Sequence, residues 1–195
     1  VTVGATAFDP PRLGPVLQAA AGGTAVRPTP VPPAIGTSAL DVVDGQPIVA
    51  IARQLAASGI IEVPAGSNRG PGVDVFTGGR AEPWCADFVS WVLRAAGRPF
   101  TGGDNGWRLP WTGSVRAWFE VRGRYRDRLV AAPQPGDVVW FRHGHVGIVV
   151  AVRRNTLETV EGNAGDAVRV RTYPQWRIDS RIGGFGRVPT GRRFQ

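Results

Sequence analysis

Lysine and methionine are absent from these 195 residues, and cysteine, histidine and tyrosine are scarce, with one Cys, two His and two Tyr. A single cysteine forms no internal disulfide and supplies no cysteine-rich zinc site. No apolar run approaches the roughly 18 residues of a membrane-crossing helix, so no membrane span is expected and the chain reads as soluble. Without methionine it is expected to be a mature or trimmed form, and no intact signal peptide is legible in it. Charge is sparse but unbalanced: the formal +8 rests on 23 cations, every one an arginine.

A GC-rich coding sequence accounts for arginine without lysine beside abundant Gly, Ala and Pro. The distribution is more informative. Arg108–Arg128 carries six Arg against Glu120 and Asp127, and Arg177–Gln195 carries five against Asp179. A basic stripe holds an anionic polymer, either nucleic acid or an anionic wall polysaccharide; the bland alternative is a solvated surface. What the chain has in quantity is Gly (27), Pro (17) and 43% hydrophobic residues, which predicts short elements, many turns and a true core.

Residues 1–44 read as a Pro-rich extension. Arg27-Pro-Thr-Pro-Val-Pro-Pro-Ala is an extended spacer, and Leu13–Ala21 is a short docking helix ended by Gly22-Gly23. Pattern begins at Pro47, where Ile48, Ile51, Ala52, Leu55 and Ala56 fall at helical spacing before Gly59. Pro64–Ala81 reads as a loop. A second helix follows Pro83, with Cys85, Phe88, Val89, Val92 and Ala96 on one stripe and Gly97 at its end. Ser114–Phe119 is a shorter third. After Pro135 the period changes to two, and Asp137–Phe141, His145–Val152, Thr156–Glu161, Ala167–Tyr173 and Ile182–Val188 read as strands. Val168-Arg-Val-Arg-Thr alternates cleanly, which predicts one dry and one wet face. Helices followed by hairpin-linked antiparallel strands mean an α+β fold.

Cys85 falls in the first turn of a helix, where free backbone N–H groups stabilise a thiolate by about 0.3–1 kcal/mol. That is too little to make a reactive cysteine, so a proton acceptor is required, and His143 and His145 are the two available. Cys85 with a histidine opening a strand, and Glu161 and Asn163 at the end of the next, make a complete nucleophile–base–orienter set. In an extended chain Glu161 and Asn163 share a face, so either is able to hold the imidazole. The bland alternatives are a buried thiol and a surface imidazole. A zinc site built on His-x-His and Cys85 lacks ligands.

Four ordered segments, Glu82-Pro-Trp-Cys-Ala-Asp-Phe-Val-Ser-Trp-Val, Pro135-Gly-Asp-Val-Val-Trp-Phe, Gly144-His-Val-Gly-Ile-Val and Val160-Glu-Gly-Asn, resemble the CHAP family of cysteine, histidine-dependent amidohydrolases/peptidases that cut bacterial peptidoglycan. The resemblance spans about Pro47 to Val188. It implies a papain-like fold, with 45–195 as the catalytic domain. It also implies Cys85 as nucleophile, His145 as base, Glu161 as orienting carboxylate and Asn163 as a further polar partner. Some members bind calcium through an Asp-rich loop ahead of the cysteine. Here that loop holds only Asp74, so no metal or other cofactor is expected.

Trp84, Trp107 and Trp111 are candidate substrate-binding residues, and Trp91 and Trp140 are expected in the core. The functional reading is a peptidoglycan hydrolase, either an N-acetylmuramoyl-L-alanine amidase or a peptide endopeptidase. It is expected to be secreted or wall-associated, bacterial or phage-encoded, and monomeric. The alternative is a non-catalytic wall-binding module with a vestigial triad. A third reading, nucleic-acid binding with Trp118, Phe119 and Tyr125 stacking on bases, has no recognised motif behind it.

Overall fold

Strands β1 (Tyr125–Asp127), β2 (Val138–Phe141), β3 (His145–Arg153), β4 (Thr156–Glu161), β5 (Arg169–Pro174) and β6 (Ile182–Gly186) form one sheet in the order β1-β6-β2-β3-β4-β5. All its pairings are antiparallel. The computed structural model describes residues 46–189, so the Pro-rich extension and the Leu13–Ala21 helix lie outside the described residues.

Against one face of the sheet lie α1 (Gln46–Ala57), α2 (Val73–Thr77), α3 (Cys85–Ala95) and α4 (Thr112–Glu120). In α1 the 3.6-residue stripe of Ile48, Ile51, Ala52 and Leu55 is buried, and Gly59 takes a positive φ of 65° just beyond its end. In α3 every residue from Cys85 to Leu93 is buried, including Asp87 and Ser90, because the helix is sandwiched between its neighbours and the sheet.

The alternation of strand residues divides the core in two. Val138, Val146, Ile148 and Val160 face the helices, while Val139, Phe141, Val149 and Leu157 face the other way. This second face is closed by the segment after β5, which brings Trp176 in at full burial against Phe185, ring centroids 5.4 Å apart. Each such fully buried large side chain contributes roughly 1.5–3 kcal/mol.

The α+β class and papain-like layout are those expected from the sequence, with three local corrections. Val73–Thr77, read as loop, is a one-turn helix that buries Val73 and Phe76. Tyr125–Asp127, to which the sequence reading assigned no element, is an edge strand on β6. The clean alternation in β5 does not give a dry face. Val168 is buried but Val170 is 47% exposed, because β5 is the outermost strand and is covered by a neighbouring strand on one side only.

Candidate functional site

Cys85 is the first residue of α3 and is 6% exposed. Its position is fixed from both sides. Trp84, at the N-cap, is fully buried, lies 5.9 Å from the Phe76 ring, and donates from its indole Nε1 to Glu62 Oε1 at 2.8 Å. One turn on, Phe88 packs against Gly162, where a Cβ would come within 2.4 Å of the Phe88 Cβ. Helix and strand end touch backbone to ring, so only glycine fits there.

His145 opens β3 and Glu161 closes β4, at the same end of two paired strands. The His145 Nε2 is 2.9 Å from Glu161 Oε2. That contact leaves the other ring nitrogen for the Cys85 thiol, with which the imidazole also hydrogen-bonds. Glu161 is 3% exposed and accepts two further bonds, from Thr159 Oγ1 at 2.6 Å and Tyr173 Oη at 2.8 Å. Its side chain crosses over Gly147, where a Cβ would stand 2.6 Å from Glu161 Cγ. The glycine in His145-Val-Gly is therefore the space the carboxylate occupies.

The electrostatics follow. Burial alone would drive the His145 proton off, but hydrogen bonds and charge from Cys85 and Glu161 outweigh it and raise the imidazole from 6.5 to about 9. Burial would raise Glu161, yet the bonds from His145, Thr159 and Tyr173 hold it below the usual carboxylate range. Tyr173 is raised, by its own burial and by the adjacent Glu161 charge, so it remains a phenol donor. His143 is exposed and stacks beside His145 at 5.9 Å, making no bond to Glu161. Of the two histidines, His145 alone joins the thiol to the carboxylate.

Asn163 does not share that task. It has φ 54°, so the strand ends before it and its side chain leaves the face of Glu161. It lies 3.1 Å from the Asn68 amide, and it is placed to donate to Glu62 Oε1 and accept from the Trp84 N–H, each at 3.2 Å. Glu62, 3% exposed, also accepts from the Asn68 N–H at 2.7 Å. Asn163 thus ties the 62–68 loop to the residue before the nucleophile. Glu62 is a buried organiser to which the sequence reading gave no role, and an acid followed by Val-Pro-Ala-Gly was its one visible signal.

Trp84 is corrected in the same way, since a fully buried indole offers no face to a substrate. Trp107 is half-buried under the Arg94 guanidinium, 4.4 Å from its ring. Trp111 is 66% exposed and precedes Thr112, whose hydroxyl approaches Gly144 beside His145. Base stacking by Trp118 and Phe119 is excluded by their burial, at 8% and 1% exposure.

The basic window 108–128 is partly structural. Arg108, 2% exposed, meets Glu82, Asp87 Oδ1 at 2.6 Å and Asp104 Oδ2 at 2.9 Å. Burial raises Asp87 to about 6 against the pull of Arg108. This cluster fastens the Trp107 loop to the first turn of α3. Its signal was an aspartate inside an apolar helix, but its partner lies 21 positions on. Among the described residues no group of three or more His, Cys, Asp or Glu is gathered to hold a metal ion. No described helix is long and apolar enough to cross a membrane.

No curated protein sequence matches the chain. Its residues 77–163 match the CHAP domain, a stretch that begins just ahead of α3 and ends at Asn163, taking in Cys85, His145 and Glu161. Over that stretch the chain is similar to the CHAP domain.

Proposed function

We propose that this protein is a cysteine amidase or endopeptidase that hydrolyses an amide bond of peptidoglycan, with Cys85 as nucleophile, His145 as base and Glu161 as the carboxylate that orients it. The CHAP domain points to peptidoglycan hydrolysis in general. What supports the finer reading is one observation: a half-buried imidazole bonded on one side to a thiol at a helix start and on the other to a carboxylate at 2.9 Å. We further propose that 45–195 is the catalytic domain and 1–44 an extension, and that the protein acts outside the cell or at the wall as a monomer. Trp107 and Trp111 are proposed to flank the substrate.

In this mechanism His145 takes the proton from Cys85 Sγ and the thiolate adds to the amide carbonyl. The Cys85 backbone N–H, free at the helix start, donates to the oxyanion. The imidazolium then protonates the departing amine, leaving a thioester. Water, deprotonated by the same imidazole, attacks the thioester and releases the acid and the thiol. Asn163 contributes by holding the 62–68 loop against Trp84.

The test is release of soluble muropeptides from purified peptidoglycan, with mass spectrometry of the new termini to identify the bond. Cys85→Ala is expected to lose about 10⁴-fold or more in turnover while keeping its fold. A variant retaining a tenth of the wild-type rate would refute the cysteine mechanism. Wall binding without cleavage by the wild type would favour the non-catalytic module.

A further inference from the structure

Beside His145 and Glu161 a cleft opens onto β5, with Phe141, Arg171, Tyr173 and Arg181 among its walls. The register of β4 on β5 explains the arginine. Thr159 stands opposite Arg171 and Leu157 opposite Tyr173. Arg171 and Tyr173 therefore lie on the face of Thr159 and Glu161, directly across from the side chains that organise the imidazole.

Arg171 is exposed, and among the described residues its guanidinium reaches only the Ala164 carbonyl, at 3.5 Å. Arg181 lies 5.3 Å over the Tyr173 ring and is 62% exposed; it forms a two-point pair with Asp179, Nε–Oδ1 3.0 Å and Nη2–Oδ2 2.6 Å. The charges in the cleft then sum simply. Glu161 is buried and engaged by three donors, with the His145 imidazolium against it. Asp179 offsets Arg181, which leaves Arg171 as the uncompensated cation among the cleft's walls; Arg169, opposite Glu161 in the register, turns its Nε to the Ala164 carbonyl and does not line the cleft.

We propose that this cleft is a subsite for a single carboxylate of the substrate, held by Arg171 with Arg181 at its rim. The proposal rests on the reading of the protein as an amide hydrolase. One uncompensated guanidinium matches a monoanion. Its planar pair of donors fits the two oxygens of a carboxylate, and peptide substrates carry such groups next to amide bonds. Arg171 acts on binding and selection, not on bond breaking.

The first measurement needs no knowledge of the substrate. Cys85 in the full-length protein is alkylated at pH 7 by iodoacetate, an anion carrying a carboxylate, and by iodoacetamide, its neutral counterpart. The ratio of the two rate constants cancels any change in thiol nucleophilicity. A charge several ångströms away in partly solvated surroundings is expected to shift that ratio about threefold. Arg171→Gln should lower it by that factor, Arg171→Lys should preserve most of it, and Arg171→Gln with Arg181→Gln should lower it further. A ratio equal to wild type in both glutamine variants would overturn the subsite.

The second measurement uses purified peptidoglycan before and after amidation of its carboxylates. Amidation should raise the wild-type KM, and Arg171→Gln should abolish that difference. If amidation leaves KM unchanged while stripping phosphate-bearing polymers raises it, the bound oxyanion is a phosphate and the carboxylate assignment is overturned. Failure of the wild type to cut any peptidoglycan would overturn the amidase reading, and the alkylation ratio would still decide the anion subsite.

Discussion

Replacing Glu161 by glutamine keeps the shape of the side chain and removes its charge, so it isolates what the carboxylate does for His145. Raising an imidazole from 6.5 to about 9 corresponds to about 3 kcal/mol of preference for the imidazolium. Burial opposes that preference, and the Cys85 and Glu161 partners supply it. A charge pair about 4 Å apart at an effective dielectric near 20 is worth up to about 4 kcal/mol, so one buried carboxylate is able to account for most of it. Glutamine also turns an amide NH₂ toward one of Thr159, Tyr173 or His145, donors that in the wild type meet a carboxylate acceptor. The His145 titration is therefore expected to fall by about one pH unit or more. Proton NMR of the ring resonances measures it directly, since the chain has two histidines and His143→Gln assigns them. The sign for stability follows from the raised value. The pair's contribution is complete below about pH 6.5 and is lost as pH rises through about 9, so in Glu161→Gln the loss should be smaller and complete at lower pH. A His145 inflection unmoved in the variant would refute the reasoning and assign the elevated value to Cys85 alone.

Gly147→Ala places a methyl group 2.6 Å from Glu161 Cγ. It should lower turnover about a hundredfold by displacing the carboxylate, with circular dichroism unchanged; near-normal turnover would refute it. Arg108→Leu leaves Asp87 buried without its cation, and chemical denaturation should show a loss of about 3–5 kcal/mol at pH 7. Because Asp87 titrates at about 6, that loss should shrink at pH 5, and a deficit independent of pH would count against the assignment. Chelation by EDTA should leave peptidoglycan hydrolysis unchanged, because nucleophile and base are both side chains of the chain. Loss of turnover restored by calcium or zinc would reverse that expectation.

The parts of the fold that sequence periodicity exposed are those long enough to show a period. The α1 and α3 stripes and the β3–β4 hairpin are of this kind. Val73–Thr77 has five residues and Tyr125–Asp127 three, too few for either period to declare itself. The site was legible in its residue types and order, but one geometric inference failed for a specific reason. Glu161 and Asn163 would share a face only if the strand continued, and the positive φ of Asn163 breaks the alternation at that step. Trp84 was misread because an aromatic beside a nucleophile looks like a platform, whereas Glu62, distant in sequence, draws its indole inward. Likewise Asp87 and Arg108 were visible singly, but ion pairs across a loop leave no periodic trace.

Cys85 stands on a helix and His145 on the sheet beneath it, 60 positions apart in the chain. Neither layer holds half of a working site, since the thiol without the sheet has no base and the sheet without the helix has no nucleophile. Competence should then be the last property to appear in refolding, arriving with the docking of α3 and not with the formation of either element. A rapid thiol probe, applied at intervals after dilution from denaturant, would turn the nucleophile into a clock for that docking event. Its enhanced reactivity should rise in step with tertiary fluorescence and behind the far-ultraviolet signal.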